Sequence, residues 1–125
     1  MKSSSINLAL LLLRLGFGGF MLTHGIPKIN YLFQSPIKFT NPLGIGDTAT
    51  LLLTLIGEVV APILIIIGFK TKWATIPAAI TMGVAAFVVH AKDSLSTKER
   101  ALLFFIAFVV IFLAGPGKYS IDDRK

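Results

Sequence analysis

Two oppositely charged side chains lie inside stretches that are otherwise apolar enough to cross a membrane. Arg14 interrupts residues 6–22, and Glu58 interrupts residues 49–69. A lone ionised side chain at the centre of a bilayer costs about 2.5–3.5 kcal/mol, so charges there face the interior of a bundle and mark ion, proton or substrate sites. Helical rise places both residues at similar depth. The sequence therefore predicts a buried Arg14–Glu58 pair, which either fixes helix register alone or belongs to a functional site.

Three further polar side chains fall near one end of the apolar stretches. His24, Lys28 and His90 predict a polar cavity beside the charged pair, at the end that carries the longest loop. Histidine exchanges protons near neutral pH, so His24 and His90 are candidate donors, with wetting by lipid head groups as the alternative. Two histidines can also ligate haem, but nothing else in the sequence favours haem. No metal site is predicted.

Composition indicates an integral membrane protein. Hydrophobic residues make up 54% of the 125 residues and charged residues only 14%, whereas about a quarter is typical of soluble domains. The absence of cysteine excludes disulfides and thiolate chemistry. The net charge of +6 comes from basic residues scattered among short loops and tails, which predicts contact with a lipid bilayer and no binding of nucleic acid.

The pattern of apolar stretches and helix signals predicts an all-α fold, an integral membrane four-helix bundle with a long loop between helices 1 and 2. Residues 1–125 form one domain, with spans at about 6–25, 48–68, 73–90 and 97–114. Pro27 is expected to stop the first helix, which makes residues 26–47 a loop. Asp47 is a predicted N-cap and Gly68 a predicted helix end, and Ser96–Glu99 has a capping-box pattern.

Small residues and the last residues of the chain have predicted structural roles. Gly18, Gly25 and Gly83 share helix faces with the polar residues, which lets neighbouring helices approach closely. Residues 115–117, Gly115-Pro116-Gly117, end the last helix, and Ser120 and Asp122 are expected to hydrogen-bond local backbone and turn the tail back.

The distribution of positive charge predicts the orientation in the membrane. Six basic residues lie on the side of the termini and five on the opposite side. The terminal side carries Lys2, Lys70, Lys72, Lys118, Arg124 and Lys125. This small excess favours termini in the cytoplasm, in a bacterial or archaeal cytoplasmic membrane.

These residues resemble the DoxX family of small four-helix membrane proteins over nearly the whole chain. The likeness rests on Arg14-Leu-Gly16, on His24-Gly25-x-x-Lys28, on Glu58 followed by Gly68, and on the ending Gly115-Pro-Gly-Lys-Tyr-Ser120-Ile-Asp122. Where family members end the second helix with arginine, this chain has Lys70, which keeps the charge but loses the forked geometry.

The resemblance implies several roles. Some relatives are subunits of a thiosulfate:quinone oxidoreductase, some are linked to quinone or catechol detoxification, and others associate with redox enzymes. The first hypothesis is a membrane subunit of such a system that binds a quinone-like amphiphile around Arg14 and Glu58, with redox proteins as partners. The second is a non-catalytic scaffold or assembly chaperone that docks proteins on the long loop. The third is a small-solute or proton transporter, weakened because the sequence has no evident inverted repeats.

Overall fold

A computed structural model describes residues 3–124, with the side chains of residues 4–123, and this part of the chain is all-helical and contains no strand. Lys2 and Lys125, which entered the prediction of orientation, lie outside the described residues, and so does the side chain of Arg124. The elements in chain order are α1 (Ser3–Gly25), a 3₁₀ helix (Ile26–Phe33), α2 (Asp47–Leu55), a π-helical segment (Ile56–Val60), α3 (Ala61–Ile67), α4 (Thr71–Val84), a second π-helical segment (Ala85–Val89), α5 (Leu95–Ala114) and a last 3₁₀ turn (Asp122–Arg124).

Three helical rods are long and apolar enough to cross a membrane. They are Ser4–Phe33, Asp47–Ile67 and Thr71–Val89. The first joins α1 to the 3₁₀ helix, the second joins α2 to α3 through the first π segment, and the third joins α4 to the second π segment. Helix α5 is not among them, because the charges at positions 98–100 leave only residues 101–114 fully apolar, fewer than the roughly 20 residues that a span needs.

Three boundaries differ from the sequence prediction. Helical turns continue past Pro27 to Phe33, because proline at the start of a 3₁₀ helix needs no N–H partner. The loop is therefore residues 34–46 and not 26–47. Asp47 is the first helical residue, and Gly46 occupies the cap position. Helix α5 begins at Leu95 after Ser94, before the Ser96–Glu99 pattern.

The core is formed by apolar side chains from all the long helices. Met21 from α1, Ile65 from α3, Ala78 from α4 and Phe108 from α5 are each at most 1% exposed. By contrast, large apolar side chains face outward on the same helices, among them Phe20, Ile80 and Leu113. Exposed apolar surface on this scale fits lipid as the surrounding medium.

The C-terminal tail folds back against the ends of α3 and α4. Ile121 and Asp122 donate backbone hydrogen bonds to the carbonyls of Ile67 and Gly68, at 3.2 and 2.8 Å. Gly68 ends α3 with a φ of 72°, in the left-handed region that glycine adopts without strain, as its sequence position predicts. The tail is therefore part of the packed bundle.

Candidate functional site: a buried charge pair between two cavities

Arg14 is bound by backbone carbonyls and makes no ion pair with a described residue. It is 1% exposed. Its guanidinium donates to the carbonyl oxygens of Ile65, Ile66, Pro116 and Tyr119, at 2.9, 2.9, 3.0 and 2.9 Å. The planar fork of arginine can serve several acceptors at once. Arg14 thus joins the C-terminal end of α3 to the tail after α5.

The predicted Arg14–Glu58 pair does not form. Gly25, not Arg14, packs against the backbone of Glu58, whereas Arg14 lies level with Ile65. Eleven residues of α-helix separate Gly25 from Arg14, which corresponds to about 16 Å along the axis. A pair between Arg14 and Glu58 requires that the first helix begins where the second ends, at one membrane face. In the structure the tail fills the space below α3, so the two helices are offset.

Glu58 instead pairs with Lys28. Lys28 Nζ lies 2.7 Å from Oε1 and 2.9 Å from Oε2 of Glu58. The carboxylate is 3% exposed, whereas the lysine side chain is 34% exposed. A buried carboxylate needs such a partner, because the transfer of an unpaired charge into an apolar interior costs several kcal/mol. Glu58 therefore sits inside the bundle, and Lys28 connects it to the loop-bearing end.

Local helix geometry positions this pair. Glu58 lies within the π-helical segment Ile56–Val60, and His90 follows directly after the second one, Ala85–Val89. Single π turns in α-helices are frequent at functional sites. A Cβ at Gly25 would clash with the Glu58 backbone, and one at Gly57 would clash with Thr81. Close packing on two sides thus fixes the backbone that carries Glu58.

An apolar cavity of about 240 Å³ lies on one side of the pair. Side chains from α2, α4 and the residue 39–45 loop form most of its wall, including Leu53, Ile80 and Val84, with Phe39 and Leu43 from the loop. Leu53 and Ile80 are 54% and 59% exposed on the outer surface of the bundle. The cavity therefore borders the surface that faces lipid.

A more polar cavity of about 320 Å³ lies on the other side. His24, Arg100 and Thr97 line it together with the apolar side chains of Met21, Met82 and Phe104. The ring of His24 packs edge-on against Phe104, with centroids 5.9 Å apart. The two cavities share Lys28, Glu58, Ala85 and His90. The charge pair is thus a common wall between an apolar and a polar chamber.

The structure brings together four of the five polar residues predicted from sequence. Lys28, Glu58, His24 and His90 line these cavities, while Arg14 lies at the opposite end. His90 also contacts Asp93, with Nδ1 2.8 Å from Oδ2. No cluster of three or more histidine or carboxylate side chains that could hold a metal occurs among residues 3–124.

The residues predicted to be structural lie at helix contacts, in the turn after α5, and in the C-terminal tail. Gly18 packs on Ile66 and Pro62, Gly25 on Glu58, and Gly83 on Phe105. Gly115, Pro116 and Gly117 carry the chain from α5 past Lys72 and Leu10 to the Arg14 site. Ser120 donates to the Gly117 carbonyl at 2.7 Å, a local bond, whereas Asp122 accepts from the N–H groups of Lys70 and Thr71 at the start of α4.

Sequence reasoning missed Arg100 and Thr97 as cavity residues. From the sequence, Thr97 belongs only to the Ser96–Glu99 capping-box pattern, and Arg100 is only one of the five basic residues on the side opposite the termini. A signal was present, since Thr97, Arg100, Ala101 and Phe104 follow a spacing of three, one and three residues that puts them on one helix face. That face opens on His24 and Glu58.

Comparison with known proteins identifies the family. The DoxX sequence model matches residues 9–91. The chain belongs to the DoxX family. An uncharacterized protein of Haemophilus influenzae is 28% identical to it over 119 residues, covering 90% of this chain and 87% of the relative. No solved structure matches the chain significantly. The DoxX match includes Arg14, His24, Lys28, Glu58 and His90, while α5 and the tail lie beyond it.

Proposed function

We propose that this DoxX protein is the membrane subunit of a redox or detoxification system and holds a quinone-like amphiphile beside the Lys28–Glu58 pair. The observation that carries the proposal is the position of that pair, buried between an apolar cavity and a polar one. Binding sites for small molecules combine mostly apolar walls with a few converging polar groups. Arg14 has a structural role in this proposal, because its donors are bound to carbonyls.

The apolar cavity suits a ligand that arrives from the bilayer. Its rim contains Leu53, Ile80 and Val89, whose side chains are exposed on the bundle surface. A lipid-soluble molecule can enter there without crossing water, because both the rim and the lipid tails are apolar. The loop residues Phe39, Pro42 and Leu43 cover one side of this cavity. The ring or tail of the ligand occupies this chamber.

The charge pair supplies the polar contacts. A quinone carbonyl needs a hydrogen-bond donor, and the ammonium of Lys28 is a strong one. Glu58 is positioned to accept a proton from a quinol, and the polar cavity with His24 and His90 gives that proton a route to water. When a bound quinol is oxidised, its two electrons pass to a partner redox protein, and when a quinone is bound, the same partner supplies two electrons to it.

Ligand titration with a neutralised pair tests this assignment. The double variant Lys28→Met with Glu58→Gln removes both charges at similar volume, which avoids leaving one charge buried and unpaired. We expect it to fold in nanodiscs and to bind decylubiquinone at least about tenfold more weakly than the native chain, since both polar contacts are lost. Calorimetric titration measures the affinity.

The matched control neutralises two opposite charges outside the cavities, the half-buried Lys98 and the exposed Glu99, as Lys98→Met with Glu99→Gln. Its affinity for decylubiquinone should equal that of the native protein. Unchanged affinity in the variant at Lys28 and Glu58 would refute the proposed site. If the control variant loses affinity for decylubiquinone by the same factor, the loss comes from the changed charge at the membrane surface and not from the cavities.

We further propose that α5 is a fourth span, which makes the protein a four-helix bundle with both termini in the cytoplasm. Phe104, Ala107, Phe108 and Ile111 of α5 are buried in the core with the other helices. Because the chain has no cysteine, single cysteines can report topology. Asp93→Cys should react with impermeant maleimide only from outside the cell, and Lys118→Cys only after lysis. Labelling of both from one side refutes the fourth span.

A scaffold role is the second candidate function. Phe33, Leu43 and Ile45 near the loop-bearing end are 82%, 55% and 47% exposed. Such a group of apolar side chains suits docking of a partner as well as contact with lipid. Phe33→Ser distinguishes the two functions, because Phe33 lies outside both cavities, and loss of a co-purifying partner with unchanged quinone affinity favours the scaffold.

A further inference from the structure

The polar cavity carries an uneven distribution of charge. The ionisable side chains that line it are His24 from α1, Lys28 from the 3₁₀ helix, Glu58 from the first π segment, His90 after the second, and Arg100 from α5. Both oxygens of Glu58, the one carboxylate among these, are already bound to Lys28 Nζ. The charge of the Lys28–Glu58 pair is thus balanced.

Arg100 leaves an excess of positive charge. Among the described residues, no carboxylate lies within ion-pair distance of its guanidinium. Asp93, the nearest acid to His90, is bound to the Nδ1 of that ring. Thr97, in the first turn of α5, lines the same cavity, and the N-terminal end of a helix favours negative charge. The cavity is therefore electrostatically suited to an anion.

The rest of the cavity wall defines the body of that anion. Met21, Met82 and Phe104 are 1%, 8% and 5% exposed, and they form an apolar floor. Phe104 already makes T-shaped contacts with the rings of His24 and Phe17, and it stacks with Phe108 at 6.1 Å. Aromatic faces and thioethers favour flat unsaturated rings. A small hydrated inorganic anion would gain little from such a floor.

We propose that the polar cavity selects an aromatic anion, a carboxylate or phenolate, whose ionised oxygen is bound by Arg100 with Lys28 and whose ring lies on Phe104. The inference rests on the proposed function, because it describes the head group that the same site accepts. Arginine is well suited to this role, since its fork binds both oxygens of a carboxylate in one plane. Amphiphiles with a cationic head are disfavoured by the same charge.

Three naphthalene probes of similar shape test the selectivity. They are 2-naphthoate, the neutral 2-acetylnaphthalene and the cationic 2-naphthylmethylammonium, titrated into the native protein in nanodiscs of zwitterionic lipid, with empty nanodiscs subtracted. Exposed ion pairs contribute up to about 1 kcal/mol, so naphthoate should bind about fivefold more tightly than the ketone. The ammonium should bind more weakly than both.

Variants at Arg100 identify the residue responsible. Arg100→Gln should remove the fivefold preference for naphthoate and leave the affinity for the ketone unchanged. Arg100→Lys keeps the charge and should retain part of the preference. Lys98→Gln, two residues earlier on α5 and outside both cavities, is the matched control and should behave as the native chain. Because Arg100 is exposed, folding of its variants is not at risk.

The outcomes separate this inference from the proposed function. Equal affinities for the anion and the ketone, or a preference that survives Arg100→Gln, overturn the anion selectivity while a quinone site stands. Decylubiquinone that binds while none of the naphthalene probes does also overturns it. If decylubiquinone does not bind but naphthoate binds tightly and this binding depends on Arg100, the anion selectivity is supported and the proposed quinone site is refuted.

Discussion

Replacement of Arg14 by methionine should detach the C-terminal tail and destabilise the whole bundle. The methionine fills most of the space of the arginine stem but donates no hydrogen bond. Four carbonyl oxygens lose their donor, those of Ile65, Ile66, Pro116 and Tyr119. Two of these end α3 and two belong to the tail, so the substitution removes a connection between distant parts of the chain.

The size of the effect follows from the environment of the four acceptors. A hydrogen bond from a charged donor contributes about 1.5–3 kcal/mol net. Tyr119 is 48% exposed, so its carbonyl regains water when the tail detaches, whereas the Ile65 side chain is fully buried. We therefore expect the free energy of unfolding to fall by about 3–5 kcal/mol, less than four full contributions. Arg14→Lys should recover less than half, because a single ammonium cannot reach all four oxygens.

Unfolding in mixed micelles, followed by circular dichroism, measures this loss, and limited trypsin digestion at Lys118 reports tail release. Arg100→Met is the matched control, because it removes an exposed arginine, and it should change stability by less than about 0.5 kcal/mol. A native-like midpoint and an uncut tail in Arg14→Met would contradict the reasoning. A double-mutant cycle adds a check, since Arg14→Met and Glu58→Gln should be additive within about 0.5 kcal/mol if the residues are far apart.

Two further substitutions test the packing around the site. Asp122→Ala removes the acceptor for the N–H groups at the start of α4, so the free energy of unfolding in the same assay should fall by about 1–2 kcal/mol. Asp123→Ala, at an exposed position, is the control. Equal stability of the two variants would contradict the capping role of Asp122. Gly25→Ala forces a Cβ into the Glu58 backbone and should cost about 1–3 kcal/mol or more, whereas Gly16→Ala, which meets no atom within 4 Å, should be neutral or stabilising. If the Gly25→Ala and Gly16→Ala variants have the same free energy of unfolding, α1 does not approach the Glu58 backbone as closely as described.

The sequence was sufficient for the class of fold and for the identity of the buried charges, because both follow from local properties. Length and hydropathy define an apolar helix, and a charge within it must find a partner. Gly68 was likewise predictable, since a helix end in the left-handed conformation favours glycine.

The choice of partners could not be predicted, because it depends on the axial offset of the helices. Similar depths for Arg14 and Glu58 require that α1 begins, and α3 ends, at one face of the membrane. The tail under α3 and the 3₁₀ extension to Phe33 shift α1 relative to Glu58, which brings Lys28 to the carboxylate in place of Arg14. Neither feature has a signal in periodicity alone. The π segment around Glu58 lies where Gly57 packs closely on Thr81 of α4, a contact between helices that periodicity does not show.

Photolabelling tests the central claim most directly, that an amphiphile binds between the cavities at the Lys28–Glu58 pair. The native protein in nanodiscs is irradiated with an azido-substituted decylquinone, and labelled peptides are mapped by mass spectrometry. The account predicts label on the α2 and α4 segments around Thr54 and Val84, abolished by excess decylubiquinone. Label confined to the outer surface around Phe20 and Leu113, unaffected by excess quinone, would contradict it.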